Sequence, residues 1–350
     1  MKAKRRREGK PVVVGLDVGG AHLKAARVEA GEIVAAMTVA MPLWHGMGRL
    51  HAAFGRASSL FAGADRFAVT MTGELSDLFA DRAAGVRALL DAVASHVPSA
   101  ATSVYAVPSG FCDPAAAAAR PLEVASANWH ATAAFLARRA GEALFVDMGS
   151  TTTDLVALHD GKVANRGFTD AERLASGELV YTGFTRTVPF AVAQEAPVDG
   201  VLTPLMNEFF ASMADVHRIL GVLDIADDRQ ATADGRDSSV AASTARLARM
   251  LGRDAAELDA EAWRAVARWF SERQLRALHD AAVGVASALA SAAPLVGAGS
   301  GRWQVERLAA RLERPFVDAA TLFPARLTSP AEVSSAAPAC AAALLLLDAA

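Results

Sequence analysis

Twice along this chain a short apolar run ends in an aspartate, passes through glycine, and resumes as a second apolar run. Val12 to Leu16 leads into Asp17-Val18-Gly19-Gly20 and then Leu23-Lys24-Ala25-Ala26-Arg27-Val28. Leu144-Phe145-Val146 leads into Asp147-Met148-Gly149-Ser150-Thr151-Thr152-Thr153-Asp154 and then Leu155-Val156-Ala157-Leu158. β-Branched runs either side of a glycine turn read as a hairpin, and the return of the same device implies an internal duplication. A third strand is expected near Ile33 to Thr38, after the turn at Gly31, and a matching turn follows the second hairpin at Asp160-Gly161.

Around the hairpins, strand and helix signals alternate as in an α/β domain. Strands are expected at Phe67 to Thr72 and Val104 to Val107, with a helix over Asp81 to His96 between them. The region 205–290 reads as mainly helical. Phe209, Met213, Val216 and Leu220 form one apolar stripe there, and Trp263, Val266, Trp269 and Phe270 another; both are expected to be core. Asp224 to Ser239 is polar, acidic and glycine-containing, and reads as a solvated loop, since its aspartates fit no calcium-loop spacing. Pro294-Leu295-Val296 reads as a last strand, running into Gly297-Ala298-Gly299-Ser300-Gly301 and a helix from Gln304 to Leu312. The final helix, from about Ala336, is apolar on most sides.

With 350 residues, 53% of them hydrophobic, the chain can bury a large core, and its size suits two lobes. The expected division is a basic tail at 1–10, a first lobe at 11–140 and a second at 141–350 that includes the helical region. A net charge of −3 with interspersed signs offers no extended cationic face, which argues against nucleic acid and anionic lipid and for a small-molecule ligand. The basic cluster Lys2 to Arg7 is expected to be a solvated tail. Cys112 and Cys340 lack metal-ligand spacing and suit a reducing compartment. No apolar run has spanning length, so a cytoplasmic protein is expected. Self-association into a homo-oligomer is left open.

The hairpins are where chemistry is expected. A turn that lets phosphate reach backbone N–H groups needs glycines, because a side chain would hold the anion away; Gly19, Gly20 and Gly149 meet that need. Asp17 and Asp147 each end a buried strand, where a carboxylate can hold Mg²⁺ against phosphate oxygens. Ser150, Thr151, Thr152 and Thr153 offer hydroxyls to the same phosphates, and Asp154 is placed to orient a nucleophile. Lys24 can reach a phosphate as a point charge, an exposed strand lysine being the alternative. Gly297 and Gly299 belong to a strand-to-helix turn whose helix N-terminus favours an anion, with a simple tight turn as the alternative.

The order of these three segments resembles the phosphate-1, phosphate-2 and adenosine motifs of the actin, sugar-kinase and Hsp70-like (ASKHA) superfamily, which implies a duplicated ribonuclease-H-like fold. The Ser-Thr-Thr-Thr-Asp form at 150–154 resembles the hydantoinase/oxoprolinase branch. Further segments resemble tetrahydromethanopterin-linked one-carbon-transfer proteins similar to archaeal methanofuran synthase: Thr72-Gly73-Glu74-Leu75, Ala127-Asn128-Trp129, Gly177-Glu178-Leu179-Val180-Tyr181-Thr182-Gly183, Met213-Ala214-Asp215-Val216 and Thr232-Ala233-Asp234-Gly235-Arg236. One departure is His22, where that family carries Asn.

This resemblance implies a Mg²⁺-dependent transferase of methanofuran biosynthesis. It would join a phosphorylated furan, an aminomethylfuran methyl diphosphate, to the phenol of a γ-glutamyltyramine or tyrosine acceptor and release pyrophosphate. Asp154 and Glu178 are the expected bases for the phenol, with Asp17 as a further catalytic carboxylate, and Glu74 and Asn128 are expected substrate contacts. ATP is the lesser candidate as ligand. The rivals are an ATP-dependent small-molecule kinase or oxoprolinase-like ATPase, and a non-catalytic nucleotide-binding regulator.

Overall fold

The computed structural model describes residues 11–225, 227–228 and 230–349; the expected basic tail at 1–10 lies outside them. In the first sheet, β1 (Val13–Val18) pairs antiparallel with β2 (His22–Glu29), which pairs antiparallel with β3 (Glu32–Ala40). On its other edge β1 takes β4 (Arg66–Met71) in parallel, followed by β5 (Thr102–Ala106) and the short β6 (Gly110–Cys112). The order is β3-β2-β1-β4-β5-β6. All six residues of β1 are buried, as expected of a central strand covered on both faces, where side chains of either parity must be apolar or small.

The second sheet repeats the plan. β7 (Ala143–Met148) pairs antiparallel with β8 (Thr153–His159), and the chain continues through β9 (Lys162–Val163) and β10 (Leu179–Val180). A small hairpin, β11 (Glu195–Val198) and β12 (Val201–Pro204), precedes the helical region. β13 (Leu295–Ala298) then joins β7 in parallel and β14 (Phe316–Asp318) joins β13. The order β10-β8-β7-β13-β14 is again a meander on one side of the first strand and parallel strands on the other. This is the duplicated ribonuclease-H-like fold expected from the two hairpins.

Two compact units result. Of the described residues, the first comprises 11–141, 161–163 and 319–349, and the second those within 142–160 and 164–318. The division therefore differs from the sequence reading at the C-terminus, where 319–349 joins the first unit. The cause is a steric fit between the helix Ala337–Asp348 and β1. A Cβ at Gly15 would run into the carbonyl oxygen of Ala339, with the carbonyl carbon 2.8 Å away. Glycine on the strand and alanine on the helix are what allow so close an approach. The edge of β3 is also met by this segment, where Ile33 N–H donates to Pro324 O at 2.7 Å and Arg326 N–H to Ile33 O at 3.0 Å.

The second unit holds a helical cluster inserted between β12 and β13, made of Met213–Leu220, Val240–Met250 and Ala260–Ala286. Met213, Val216, Trp263, Val266 and Phe270 are buried together, as their spacing predicts. Phe209 is 55% exposed and does not join them. It precedes the Ser212 cap that starts the helix, so the helical period does not reach it. Asp224 to Ser239 is a loop, yet more firmly held than expected. Both Asp228 oxygens take the Arg218 guanidinium, at 2.8 and 2.9 Å, and Asp234 takes Arg246 at 3.0 Å. Arg246 is fully buried and paired with buried Asp215 at 2.7 Å, so the Met213–Val216 and Thr232–Arg236 segments meet in one ion network.

Both cysteines are unpaired, and burial pushes the Cys340 thiol up to about 12. Among the described residues no helix is long and apolar enough to cross a membrane.

Candidate active site

The two hairpins close by the same bond. Gly19 N–H donates to His22 O at 3.0 Å, and Gly149 N–H to Thr152 O at 2.9 Å. Each aspartate precedes its glycine by two residues, and each faces the residue seven positions on: Asp17 opposite Lys24, and Asp147 opposite Asp154. The duplication thus extends to the position of every turn residue, while the charge opposite the aspartate differs between the copies.

In the first unit Asp17 is 1% exposed, and Lys24 Nζ lies 3.3 Å from its Oδ2. Lys24 is thereby spent in part on neutralising Asp17, where the sequence suggested a phosphate contact. Burial raises the Asp17 pKa above the ordinary carboxylate value, against the opposing pull of the Lys24 ammonium and the Asn128 amide. Asn128 begins the helix Asn128–Ala140, and its Oδ1 accepts the Trp129 N–H at 2.7 Å. The amide oxygen is thus occupied by backbone, which turns its NH₂ group to the neighbouring carboxylate. Asp17 Oδ1 is buried without a hydrogen-bond partner of normal geometry among the described residues. So is the hydroxyl of Thr70, its register partner on β4, which no sequence signal marked.

Glu74 is 1% exposed and accepts the Ser126 hydroxyl at 2.9 Å. Its turn presses on the hairpin, since a Cβ at Gly73 would lie 2.9 Å from Gly19 O. Asp17, Lys24, Glu74 and Asn128 are therefore gathered by the first unit in one place. Glu74 is a buried brace there, one carboxylate oxygen taken by Ser126. Gly20 has open space around its Cα, as an approach site for an anion requires.

In the second unit the loop after Asp147 is framed on two sides. Phe184 N–H donates to Gly149 O at 2.9 Å and Arg186 N–H to Ser150 O at 2.8 Å. A Cβ at Gly183 would collide with the Ser150 and Thr151 backbone. On the other side Gly301 N–H donates to Met148 O at 2.9 Å, and a Cβ at Gly299 would lie 2.5 Å from Asp147 Oδ1. The Gly297–Gly301 turn and the Asp147 hairpin are thus in contact, as their order in sequence suggested. Gly297 itself serves packing, with Phe316 and Val305 closing on its Cα. Ser150, Thr151 and Thr152 remain partly exposed, but Thr153 is buried and donates to Thr182 O at 2.7 Å, so its hydroxyl is not available to a phosphate.

The two expected bases part company. Glu178 is 1% exposed and accepts from Arg166 N–H at 2.7 Å, Gly167 N–H at 3.0 Å and Ser176 Oγ at 2.9 Å. A carboxylate so saturated anchors the loop before it. Asp154 keeps a 16% exposed side chain and receives the buried Arg173 guanidinium at 2.8 Å, which also donates to Glu178 O at 3.1 Å. Opposed carboxylates on adjacent strands repel, and Arg173 offsets that cost. Neither Arg173 nor Arg186 was found by sequence reasoning. Arg173 stands only five residues before Glu178, and Arg186 only three after Gly183, so the glycine-flanked segment itself pointed to them.

No group of three or more His, Cys, Asp or Glu among the described residues could hold a metal unaided. Mg²⁺ bound with phosphates takes only one or two carboxylates, phosphate oxygens and waters filling the rest. Asp147, partly exposed beside Asp154, fits that requirement. Asp17, buried and balanced by Lys24, fits it less well.

The profile of the hydantoinase/oxoprolinase family matches residues 65–347. The chain belongs to the hydantoinase/oxoprolinase family. The match contains the second hairpin, the Gly177–Gly183 segment and the Gly297–Gly301 turn, and it begins after the first hairpin. The (4-{4-[2-(γ-L-glutamylamino)ethyl]phenoxymethyl}furan-2-yl)methanamine synthase of Methanocaldococcus jannaschii is 32% identical over 248 residues, 70% of this chain and 73% of that protein. A protein of the same name from Methanococcus vannielii is 33% identical over 118 residues, 34% of this chain and 53% of that protein. Nucleotide-free acetone carboxylase, an ATP-dependent enzyme, shares the fold with a TM-score of 0.53 at 11% identity, over 94% of this chain and 70% of that one. For this hydantoinase/oxoprolinase family member the shared fold accounts for the paired hairpins; the acceptor and the leaving group must be argued from the site.

Proposed function

We propose that the chain is a furfuryl aryl ether synthase of methanofuran-type cofactor assembly. In this reaction the phenol oxygen of a γ-glutamyltyramine or tyrosine acceptor bonds to the methylene carbon of an aminomethylfuran methyl diphosphate. The bond from that carbon to diphosphate oxygen breaks, pyrophosphate leaves, and the phenolic proton passes to a carboxylate. The observation that carries this reading is the identity of 32% over 248 residues to a synthase whose named product contains that phenoxymethylfuran linkage.

The second unit supplies groups suited to each part of the reaction. Diphosphate departure builds positive charge on the methylene, which the furan ring delocalises, and negative charge on oxygens that must be received. The partly exposed hydroxyls of Ser150, Thr151 and Thr152, the first two 3.4 Å apart, with the N–H groups of their glycine-bearing turn, are suited to receiving it. Mg²⁺, held at Asp147, would supply charge neutralisation for the leaving diphosphate. The phenol, with an ordinary pKa near 10, needs an acceptor for its proton. Asp154 is the candidate we favour, because it keeps solvent access while Glu178 is enclosed. Gly20 leaves the first hairpin's backbone approachable in the same manner, while Gly19 spends its N–H on closing the turn to His22 O, and Asp17, Lys24 and Asn128 hold that turn.

The test is to incubate the protein and Mg²⁺ with the furfuryl diphosphate and γ-glutamyltyramine, following ether by mass spectrometry and pyrophosphate by a coupled assay. Equimolar ether and pyrophosphate are expected, with loss of both in Asp147→Asn. ADP formation from ATP with the phenol, without ether from the diphosphate, would establish the kinase or ATPase alternative instead.

A further inference from the structure

Thr182 to Thr187 form a strap between the second hairpin and the helical cluster. Toward the hairpin it donates: Phe184 N–H to Gly149 O at 2.9 Å, and the N–H groups of Thr185 and Arg186 to Ser150 O at 3.3 and 2.8 Å. Toward the helix Met213–Leu220 it accepts, taking Met213 N–H at Thr187 O (2.8 Å) and Ala214 N–H at Thr185 O (3.0 Å). First-turn N–H groups find no partner within their own helix, so the strap satisfies them and holds helix and hairpin in one register.

Two fully buried polar side chains grip the strap from the helical side. His217 stacks on the Phe184 ring at 3.9 Å, and its Nδ1 lies 2.8 Å from Phe184 O. A carbonyl oxygen only accepts, so Nδ1 carries the hydrogen and Nε2 the lone pair. Gln274, on the helix Ala260–Ala286, donates from Nε2 to Gly183 O and to the Thr182 hydroxyl, both at 2.9 Å. His217 Nε2 and Gln274 Oε1 are each buried without a hydrogen-bond partner among the described residues. A buried acceptor left unpaired lowers stability, so packing alone does not explain either side chain.

What each delivers is one N–H, and the two land on consecutive peptide groups. Gln274 grips the carbonyl of the Gly183–Phe184 peptide, whose N–H holds Gly149 O. His217 grips the carbonyl of the Phe184–Thr185 peptide, whose N–H holds Ser150 O. Gly183 brings this stretch against the hairpin, since a Cβ there would lie 2.4 Å from Thr151 N. In a planar trans peptide the N–H points opposite to the C=O. With Gly149 O and Ser150 O turned to the strap, the N–H groups of Ser150 and Thr151 are turned away from it. Each relay therefore fixes the plane of one of these peptides, and hydrogen bonds in series polarise one another, strengthening the terminal donor.

We propose that His217 and Gln274 are positioning residues that aim the Ser150 and Thr151 N–H groups at the leaving diphosphate. The proposal rests on the ether-synthase reading for the ligand's identity only; anion binding by the hairpin is tested apart from it.

The variants are His217→Phe, which keeps a ring on Phe184 without the donor, Gln274→Met, and His217→Asn, whose amide nitrogen takes the place of Nδ1. Each is shown to unfold cooperatively, and the full chain is titrated calorimetrically with Mg²⁺-pyrophosphate and with Mg²⁺-ATP beside the synthase assay. His217→Phe and Gln274→Met are expected to lose at least about tenfold in pyrophosphate affinity and in kcat/KM for the furfuryl diphosphate, with KM for γ-glutamyltyramine unchanged. His217→Asn is expected to stay within about threefold of wild type. Folded His217→Phe and Gln274→Met that bind and turn over as wild type, at whatever melting temperature, overturn the proposal, as does an equal rise in KM for both substrates. Should one variant fail to fold, the other two decide. If wild type forms no ether while the two donor-less variants still weaken pyrophosphate or ATP binding tenfold, the synthase reading fails and the positioning role stands. If ether forms and those variants keep wild-type affinity, the positioning role fails alone. A wild type that binds neither ligand and forms no ether overturns both.

Discussion

Replacing Gly299 by alanine should damage stability and catalysis together, because the residue is pinned by both backbone and site. Its φ is +87°, a region that costs a residue with a Cβ about 1–2 kcal/mol. The added methyl would collide with Met148 O, with the carbonyl carbon 2.6 Å away and Asp147 Oδ1 2.5 Å away. The carboxylate can swing, but the carbonyl cannot, since it accepts the Gly301 N–H at 2.9 Å. Overpacking of this kind adds roughly 1–3 kcal/mol, so a total near 3 kcal/mol is expected. For a unit of this size that lowers the melting temperature by about 6–12 °C. Displacing Asp147 and the hairpin by a fraction of an ångström should also lower kcat/KM by at least about tenfold. Differential scanning calorimetry and the pyrophosphate assay read the two effects. A variant that melts within 2 °C of wild type, a shift of under about 1 kcal/mol, with unchanged kcat/KM, would refute the reasoning.

Glycines 15 and 20 should behave as opposites. Gly15→Ala pushes a methyl into the Ala339 carbonyl, and loss of soluble protein or a melting point lower by about 10 °C is expected, whereas Gly20→Ala, with nothing within 4 Å, should melt as wild type and raise KM for the diphosphate. His217 donates from Nδ1 to Phe184 O at 2.8 Å and is held neutral, burial lowering its pKa from 6.5 to about 3. Since the unfolded chain protonates it and the folded one does not, its contribution is complete above pH 6.5 and drains away as pH falls toward 3. From pH 7 to 5 the wild type should lose about 2 kcal/mol more than His217→Gln in guanidinium titrations; equal losses would discount it. Arg246→Met removes one of the two guanidinium partners of the buried Asp215 carboxylate, which keeps Arg218 at 2.8 Å, and should cost about 2–3 kcal/mol, read by urea unfolding, with Arg246→Lys recovering only part.

The build of the hairpins was legible because it is local. A buried strand, an aspartate, a glycine and a return strand lie within a few residues, and the closing N–H to carbonyl bond follows from them. The same sequence pattern could not reveal what stands opposite each aspartate in charge terms: Lys24 pairs directly with Asp17, while Asp154 depends on Arg173 from a helix. Glu178 looked like a base since it is acidic and glycine-flanked, yet two backbone N–H groups and Ser176 consume it. Lone carboxylates in a sequence carry no record of which donors folding will bring.

What the amino-acid sequence determined by itself is therefore the duplicated hairpin, its glycines and the alternation of strands and helices, since turn geometry and periodicity act over short stretches of chain. Tertiary structure alone decided that the helix Ala337–Asp348 seats on Gly15 in the first unit, that Arg246 joins Asp215 to Asp234, and that Val222, Trp303 and Phe316 line one cavity. Those outcomes depend on steric fit and on the need of buried charges for partners, and such partners lie many residues away along the chain.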